Sequence, residues 1–263
     1  AYAGLQGIKL GIKTSDIITS ARNKLNYVAS QQMSPEEAIV KDASGKEHYS
    51  NATLAKGNEA MEKMYSAAQR SRSSYSDMMS NVSKSMTLAG DSFKGNIDNA
   101  IKFQEVMAKA YAVGGASSNE ASTSMYQMIQ ALGSGTLQGD ELRSVREGAS
   151  LAYQKIEEFA QGIYNTDDSL KDMAADGKIS ADIVVAAVMG MSDEIDSAFE
   201  KTNITFDQAW DKMKNAATKA FVPLADTLAQ LLNALVDSGV IEKVGGVIVL
   251  IFRAVNKGIQ WLA

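Results

Sequence analysis

Four glutamates near the middle of the chain have the right chemistry for general acid and base catalysis: Glu141, Glu147, Glu157 and Glu158. A wall-degrading glycosidase needs two carboxyl groups about 5–10 Å apart across a cleft, with one of them shielded from water. Here Arg143, Arg146 and Lys155 are interspersed among the glutamates at spacings that pair opposite charges along a helix. The pattern indicates a solvated helix face, and we predict that the chain is not an enzyme.

Part of a calcium-binding loop pattern follows these glutamates. Asp172 and Asp176 match ligand positions of an EF-hand loop, and Gly177 matches its sharp turn. Ala174 and Ile183 stand at two other ligand positions, one of which normally supplies a bidentate carboxylate. The segment is therefore predicted to be a helix–turn–helix corner in which Gly177 ends the first helix, with no metal ion.

The remaining composition gives little support for other chemistry. The chain has 263 residues, no cysteine and one histidine, His48, and it lacks a GxSxG turn. Thiolate metal sites, multi-histidine sites and nucleophilic triads are therefore not expected, and we predict no cofactor. The net charge is −5, and no dense block of lysine and arginine is present. We expect no specific nucleic-acid binding by this region.

The composition favours helix, because alanine and straight-chain side chains lose little conformational freedom in a helix and prolines are scarce. The chain contains thirteen methionines and two prolines. We predict an all-α, multi-helix bundle of short capped helices with a longer amphipathic to apolar helical segment near the C-terminus. A minor hairpin is expected near residues 38–50, where turn residues separate two short apolar stretches.

Helix starts are marked by polar residues that can cap free backbone N–H groups. Capping boxes are predicted for three pairs of residues: Ser34 with Glu37, Ser117 with Glu120, and Thr205 with Gln208. Further caps are predicted at Ser180 and within residues 166–168. These starts place many helices in series, separated by glycine-containing turns.

Other boundaries are less clearly marked. Gly4, Gly7 and Gly11 give residues 1–14 the character of a linker or strand-like segment, with a helix from Asp16 onward. Asp91 and Ser92 are predicted to open a helix that carries Phe93 and Ile97 on one face. Pro223 is expected to kink a helix or to start a new one.

Apolar stripes at helical spacing predict the core. Met125, Met128 and Met213 lie on such stripes and are assigned to the core, whereas Met78, Met79 and Met86 lie on a less distinct pattern and are assigned to a partner surface. Phe206 and Trp210 share the stripe of Met213. Helix Ile183 to Phe199 is expected to be continuous.

Three motifs occur in a fixed order: LQGDELRS at 137–144, MAADGKIS at 173–180 and TFDQAWDKMKNA at 205–216. Together they resemble the folded module of tail tape measure proteins of tailed bacteriophages, prophages and phage-tail-like particles. The similarity covers roughly residues 58–235. Residues 139–164 are predicted to be helical, with a weak point at Gly148. Many family members have proline after the alanine that follows Gly148, whereas this chain has Ser150, which would let the helix run on.

The resemblance implies a structural role. The motif residues expected to pack are Leu137, Gly139, Leu142, Gly177, Ile179, Phe206 and Trp210. Tape measure proteins are made in the bacterial host cytoplasm and lie in the virion tail lumen or tail tip. A few copies occupy the tube while its subunits polymerise around them, so that they set tail length and later take part in genome ejection. The implied partners are other copies, tail tube and tail tip or baseplate hub proteins, and tail assembly chaperones.

These patterns divide the chain into residues 1–57, a linker with short helices; residues 58–235, the helical module; and residues 236–263, an apolar helix leading into further sequence.

Contact between copies is expected at six apolar residues: Leu224, Leu228, Leu231, Leu232, Leu235 and Val236. Residues 240–263 favour a buried bundle helix. If the apolar pattern continued in sequence beyond the C-terminus, it would instead reach a host membrane, as in a helical membrane-active or pore-forming protein.

Overall fold

The computed structural model describes residues 2–137 and 139–237, with side chains except at 2–15, 139, 140, 221, 224–226 and 228–237. Over these ranges the protein is helical apart from one small hairpin, which confirms the all-α prediction. The α-helices are α1 (Tyr2–Gln31), α2 (Pro35–Ala38), α3 (Asn51–Ser71), α4 (Tyr75–Ala89), α5 (Ile97–Val113), α6 (Ser118–Ser134), α7 (Gly139–Gly148), α8 (Ser150–Tyr164), α9 (Leu170–Ala175), α10 (Ala181–Gly190), α11 (Ser192–Glu200) and α12 (Phe206–Asp237).

The predicted hairpin is present between α2 and α3. Strand β1 (Ile39–Lys41) pairs with β2 (Glu47–Tyr49) in antiparallel register, with Ile39 opposite Tyr49. The Asp42 carboxylate accepts hydrogen bonds from Ser44 and from the Lys46 amide, which close the turn. The pKa of Asp42 is lowered by these hydrogen bonds, the Ser44 side chain first, and by the His48 ring.

All three predicted capping boxes form. The Ser117 hydroxyl accepts from the Glu120 amide at 3.3 Å, while the Glu120 carboxylate accepts from the Ser117 amide at 2.9 Å. Thr205 and Gln208 make the same reciprocal pair, with both bonds at 3.2 Å. Ser34 and Glu37 form the third box. Because each box satisfies otherwise free N–H groups, it fixes where its helix begins.

Helix α5 lies at the centre of the packing. It packs against α3, α4, α6, α8, α10 and α11. Phe103, Met107 and Tyr111 on α5 are fully buried, and Phe93 stacks edge-on against Phe103 at 5.5 Å between ring centroids. The helices predicted from short local patterns therefore assemble around a single apolar helix.

Two of the predictions about methionine burial are wrong. Met78, Met79 and Met86 are 4%, 0% and 8% exposed, so the partner surface predicted for them is wrong. They lie on α4, which packs against α3, α5 and α6. Met213, predicted to lie in the core, is 64% exposed. Met125 and Met128 are buried as predicted.

Several helix boundaries differ from those predicted. Helix α1 begins at Tyr2, so the segment before Asp16 is helical and is not a linker. Phe93 ends a short 3-10 helix, Gly90–Phe93, and α5 begins only at Ile97, because Lys94 and Gly95 turn the chain at φ values of 56° and 64°.

Later boundaries also shift. Ser169 caps α9, in place of residues 166–168. The helix predicted to run from Ile183 to Phe199 is divided at Met191 into α10 and α11. Helix α12 continues through Pro223 without a new start.

The helix breaks at the weak point predicted at Gly148 and does not run on through Ser150, since Ala149 leaves the helical region at φ −141°, ψ 60°. The Gly148 position explains the break: a Cβ there would lie 3.0 Å from the Tyr111 ring, and the Gly148 carbonyl lies against Gly114. This close approach of α7 to the end of α5 fixes the end of α7.

Residues 21–216 form one compact unit, and the described residues 2–20 and 217–237 belong to another. The contacts described below between residues 70 and 216 lie in the first unit.

Candidate interaction surface

Three of the four carboxylates first considered for catalysis, those of Glu147, Glu157 and Glu158, each have a separate partner. Glu147 pairs with Arg143 at 2.8 Å, and Glu158 pairs with Lys155 at 2.9 Å, both at exposed positions. Glu157 accepts a hydrogen bond from the Leu170 amide. The pKa of Glu158 is lowered by its hydrogen bonds from Lys155 and Gln154. Two of these contacts lie within one helix, and the third joins α8 to the start of α9.

The calcium-like segment serves as a helix cap and turn. Asp172 accepts from the Ser169 hydroxyl at 2.6 Å, and Asp176 pairs with Lys178 at 2.9 Å. In the described part of the chain, no group of three or more histidine, cysteine or acidic residues is arranged to hold a metal ion.

The first two motifs meet at a corner of the fold. The Leu137 amide donates to the Ile179 carbonyl at 2.9 Å, and the Ala181 amide donates to the Gly135 carbonyl at 3.0 Å. Leu137, Leu142 and Ile179 are buried, with exposures of 1%, 5% and 0%. We call residues 135–142 with 177–181 the motif corner.

Two glycines shape the motif corner. Gly177 has φ 70°, which glycine adopts without strain, and the Lys178 amide then donates back to the Met173 carbonyl at 2.9 Å. Gly139 is the first residue of α7. The turn after α9 thereby returns the chain to the loop before α7.

The third motif, at the start of α12, buries three of its polar side chains, those of Gln208, Asp211 and Asn215. Asn215 is 2% exposed; its side chain accepts from the Tyr75 amide and donates to the Ser73 carbonyl, both at 2.7 Å. Asp211 is 5% exposed and pairs with Lys214 at 2.6 Å. Asn215 thus ties α12 to the turn between α3 and α4.

The apolar side chains of the same motif face outward. Phe206 is 85% exposed, Trp210 is 52% exposed and Met213 is 64% exposed. These three residues are called the α12 apolar face. Within the described residues they do not make the internal packing predicted for Phe206 and Trp210. The Thr205 cap and the Asn215 hydrogen bonds fix the rotation of α12 about its own axis, so that its polar side faces inward.

An ion-pair network joins α3, α5 and α11. Arg70 donates two hydrogen bonds to Glu105, at 2.6 and 2.8 Å, and Lys109 pairs with Glu105 at 2.9 Å and with Asp196 at 2.7 Å. Burial acts to raise the pKa of Glu105, but the hydrogen bonds from Arg70 and Lys109 outweigh it, and the pKa is lowered.

A polar cleft of about 500 Å³ lies where α4, α5, α6 and the start of α12 meet. Its ionised groups already have partners within the fold. Arg72 donates to Thr202 and lies 4.2 Å over the Phe199 ring, and Asp77 accepts from the Ser122 hydroxyl. The charged side chains that line the cleft therefore cross-link the surrounding elements of the fold.

Sequence reasoning missed Asn215 and the Glu105 network. Gln208, Asp211 and Asn215 recur at helical spacing, which is a polar stripe that signals a second face on α12. The network joins residues that are 35 and 87 positions apart, so no local pattern marks it.

Six residues predicted to mediate contact between copies lie on the α12 backbone, and their side chains lie outside the described part: Leu224, Leu228, Leu231, Leu232, Leu235 and Val236. The prediction for residues 240–263 likewise lies outside the described residues. Among the described helices, none combines the length and apolar character needed to cross a membrane.

A family model described as tape measure protein matches residues 49–226, more than half of the 263-residue chain. No curated protein and no solved structure matches the chain.

Proposed function

Because the chain belongs to the tape measure protein family of structural phage-tail components, we propose that it occupies the lumen of the tail tube and helps to set tail length. The observation that carries this proposal is the family match over residues 49–226 together with an all-helical fold. Its side chains serve packing, capping and ion pairing between helices.

The lengths of the helices bear on how such a module measures distance. A single helix of 263 residues would reach on the order of 400 Å, at about 1.5 Å per residue. The longest described helix, α12, has 32 residues and spans about 48 Å. The chain between residues 31 and 206 reverses repeatedly through caps and turns, so this part contributes less length per residue than an unbroken helix does.

The partners proposed for this role are other copies of the chain, tube subunits, tail tip or baseplate hub proteins, and assembly chaperones. Copies associate through α12, including the stretch with Leu224, Leu228 and Leu231. At infection the protein leaves the tube and takes part in genome delivery.

Tail length tests the measuring role directly. Phages carrying an added 42-residue heptad-repeat helix in the tape measure protein are expected to have longer tails by about 63 Å, at 1.5 Å per residue. A second, duplicated copy of residues 49–226 is expected to add less than the about 270 Å that a continuous helix would give. Unchanged tail lengths by electron microscopy in both phages would contradict the proposal.

Chemical protection tests the location in the lumen. The chain has no cysteine, so Lys212→Cys at an exposed position introduces a unique thiol. In intact tails a bulky maleimide should react with this thiol far more slowly than in the isolated chain, and triggered ejection should restore the rate. Equal rates in all three states would exclude the lumen as the site of this protein.

A further inference from the structure

Methionine supplies most of the large apolar side chains that helix α4 buries. Met78, Met79 and Met86 are buried on this helix, which packs against α3, α5 and α6. Those three helices contribute five more buried methionines: Met61, Met64, Met107, Met125 and Met128. Because the methionine side chain is unbranched and flexible, contacts between methionines can be made in several arrangements. The packing around α4 therefore offers little resistance to a shift of the helix.

Helix α10 packs on the same central helix, α5, through a different kind of side chain. Its large buried side chains are Val184, Val185 and Val188. Valine is branched at Cβ and has one strongly preferred rotamer in a helix, so its contacts are less easily rearranged. Two helices that contact α5 thus differ in how readily they can repack.

The sequence of α4 is also a weak helix former. Five of its 15 residues are serine or threonine, which have lower helix propensity than alanine or leucine. The Ser83 hydroxyl donates to the Met79 carbonyl at 2.7 Å, and the Thr87 hydroxyl donates to the Ser83 carbonyl at 2.8 Å. Such bonds to the preceding turn weaken a helix slightly and often bend it. Helix α4 consequently depends on its neighbours to stay folded.

The surroundings of α4 give it a fixed end and free space. At its first turn, the Tyr75 amide donates to Asn215, and Asp77 accepts from the Ser122 hydroxyl. Ser76, Met78 and Asn81 line the polar cleft of about 500 Å³, so one side of the helix borders open space. Further along, the Gln104 amide donates to the Ser85 hydroxyl at 3.0 Å and joins α4 to α5. This bond must break if the later turns of α4 move while the first turn stays in place.

We propose that α4 is an opening element of the fold: its turns beyond Asp77 separate from α5 and α6 and return, while α7 to α11 remain folded. Opening of this kind, limited to one part of a domain, occurs where local stability is low. In the open state, α5 and α6 expose the apolar side chains that α4 covers, so the module acquires an additional apolar surface. This motion is independent of whether the chain lies in a tail tube.

The chain's own methionines test this opening. Met79 on α4 and Met173 on α9 are both 0% exposed, so they should react equally with dilute hydrogen peroxide if only global unfolding exposes them. If α4 opens locally, Met79 should form its sulfoxide at least about threefold faster than Met173, as measured by mass spectrometry of peptide fragments. Met213, which is 64% exposed, gives the rate for an accessible side chain. A smaller difference between Met79 and Met173, or a faster reaction of Met173, overturns the proposal.

A matched pair of variants tests the role of methionine in the opening. Met78→Leu with Met86→Leu conserves volume but introduces branched side chains, so Met79 should oxidise at least about threefold more slowly than in the unmodified chain. Met173→Leu makes the same change at a buried position on α9 and should leave the rate at Met79 unchanged. Equal rates at Met79 in all three proteins, or equal slowing by both variants, would show that the methionines of α4 do not permit its opening.

Discussion

The motif corner and the start of α12 use similar residues in opposite orientations. At the corner, Leu137 and Ile179 lie inside, and a backbone pairing joins the two motifs. At the start of α12, Phe206 and Trp210 lie outside, and Asn215 and Asp211 lie inside. The difference shows that the same module contains motif residues that lie in its core and motif residues that remain exposed in the described part of the chain.

The largest expected effect comes from a matched pair of isoleucine substitutions, one in the motif corner and one just before α12. Ile179→Ala should lower the free energy of unfolding by about 2–5 kcal/mol, because it leaves a cavity at a fully buried site. Ile204→Ala, at a residue that is 50% exposed just before α12, should change it by less than about 0.5 kcal/mol. Urea denaturation measures both, and equal costs would abolish the distinction.

A second substitution examines the inward side of α12. Asn215→Ala should cost about 1–3 kcal/mol, because the buried Tyr75 N–H and Ser73 carbonyl both lose their partner. Hydrogen exchange of the Tyr75 amide should accelerate as well. Asn203→Ala, at an exposed position in the preceding loop, serves as the control. Unchanged exchange at Tyr75 would show that Asn215 does not hold α12 against the α3–α4 turn.

Two glycine substitutions test the close approach of α5 to α7, the helix that follows the motif corner loop. A Cβ on Gly114 would lie 2.3 Å from the Gly148 carbonyl oxygen, so Gly114→Ala should cost about 1–3 kcal/mol as α5 and α7 are forced apart. Gly162→Ala meets nothing within 4 Å and should stabilise the protein by up to about 1 kcal/mol. Thermal denaturation gives the two signs, and a shared sign would contradict the close approach.

The smallest expected effect concerns the ion-pair network of Glu105, which is itself largely buried. Since the pKa of Glu105 is lowered in the fold, its contribution is present above its ordinary value of 4.5 and is lost as the pH falls through the lowered value. The free energy of unfolding should therefore decline on acidification less steeply in Glu105→Gln than in the unmodified chain. Glu200→Gln, at an exposed position, should retain the full decline. Identical acid profiles for all three proteins would show that Glu105 does not contribute to the pH dependence of the free energy of unfolding.

Local chemistry made much of the fold predictable. The capping pairs Ser117 with Glu120 and Thr205 with Gln208 lie three residues apart, so the sequence itself contains both partners. The hairpin between Ile39 and Tyr49 follows from turn residues between two short strands. Gly148 marks a weak point in the sequence, but that the helix ends there depends on its packing against Tyr111, which lies far away in the chain. At Met191, where α10 and α11 separate, the local pattern predicts a continuous helix instead.

For the α12 apolar face, the sequence predicts only that an apolar stripe runs along one side of the helix. Spacing shows that Phe206, Trp210 and Met213 share a side of α12, but it does not tell whether that side faces the core. The direction is set by Asn215, whose partners lie about 140 residues earlier in the chain. The same limitation explains why Met78, Met79 and Met86 were assigned to the surface although they are buried.

One paired measurement tests the central claim that the α12 apolar face serves contact between copies and not the fold. The unfolding free energy and the dissociation constant are determined on the same samples of Ile179→Ala and of Phe206→Ser with Trp210→Ser. We expect the first variant to lose stability, and the second to lose association at least about tenfold while its stability changes by less than about 0.5 kcal/mol. The account is contradicted if the serine variant unfolds as easily as Ile179→Ala and associates as tightly as the unmodified chain.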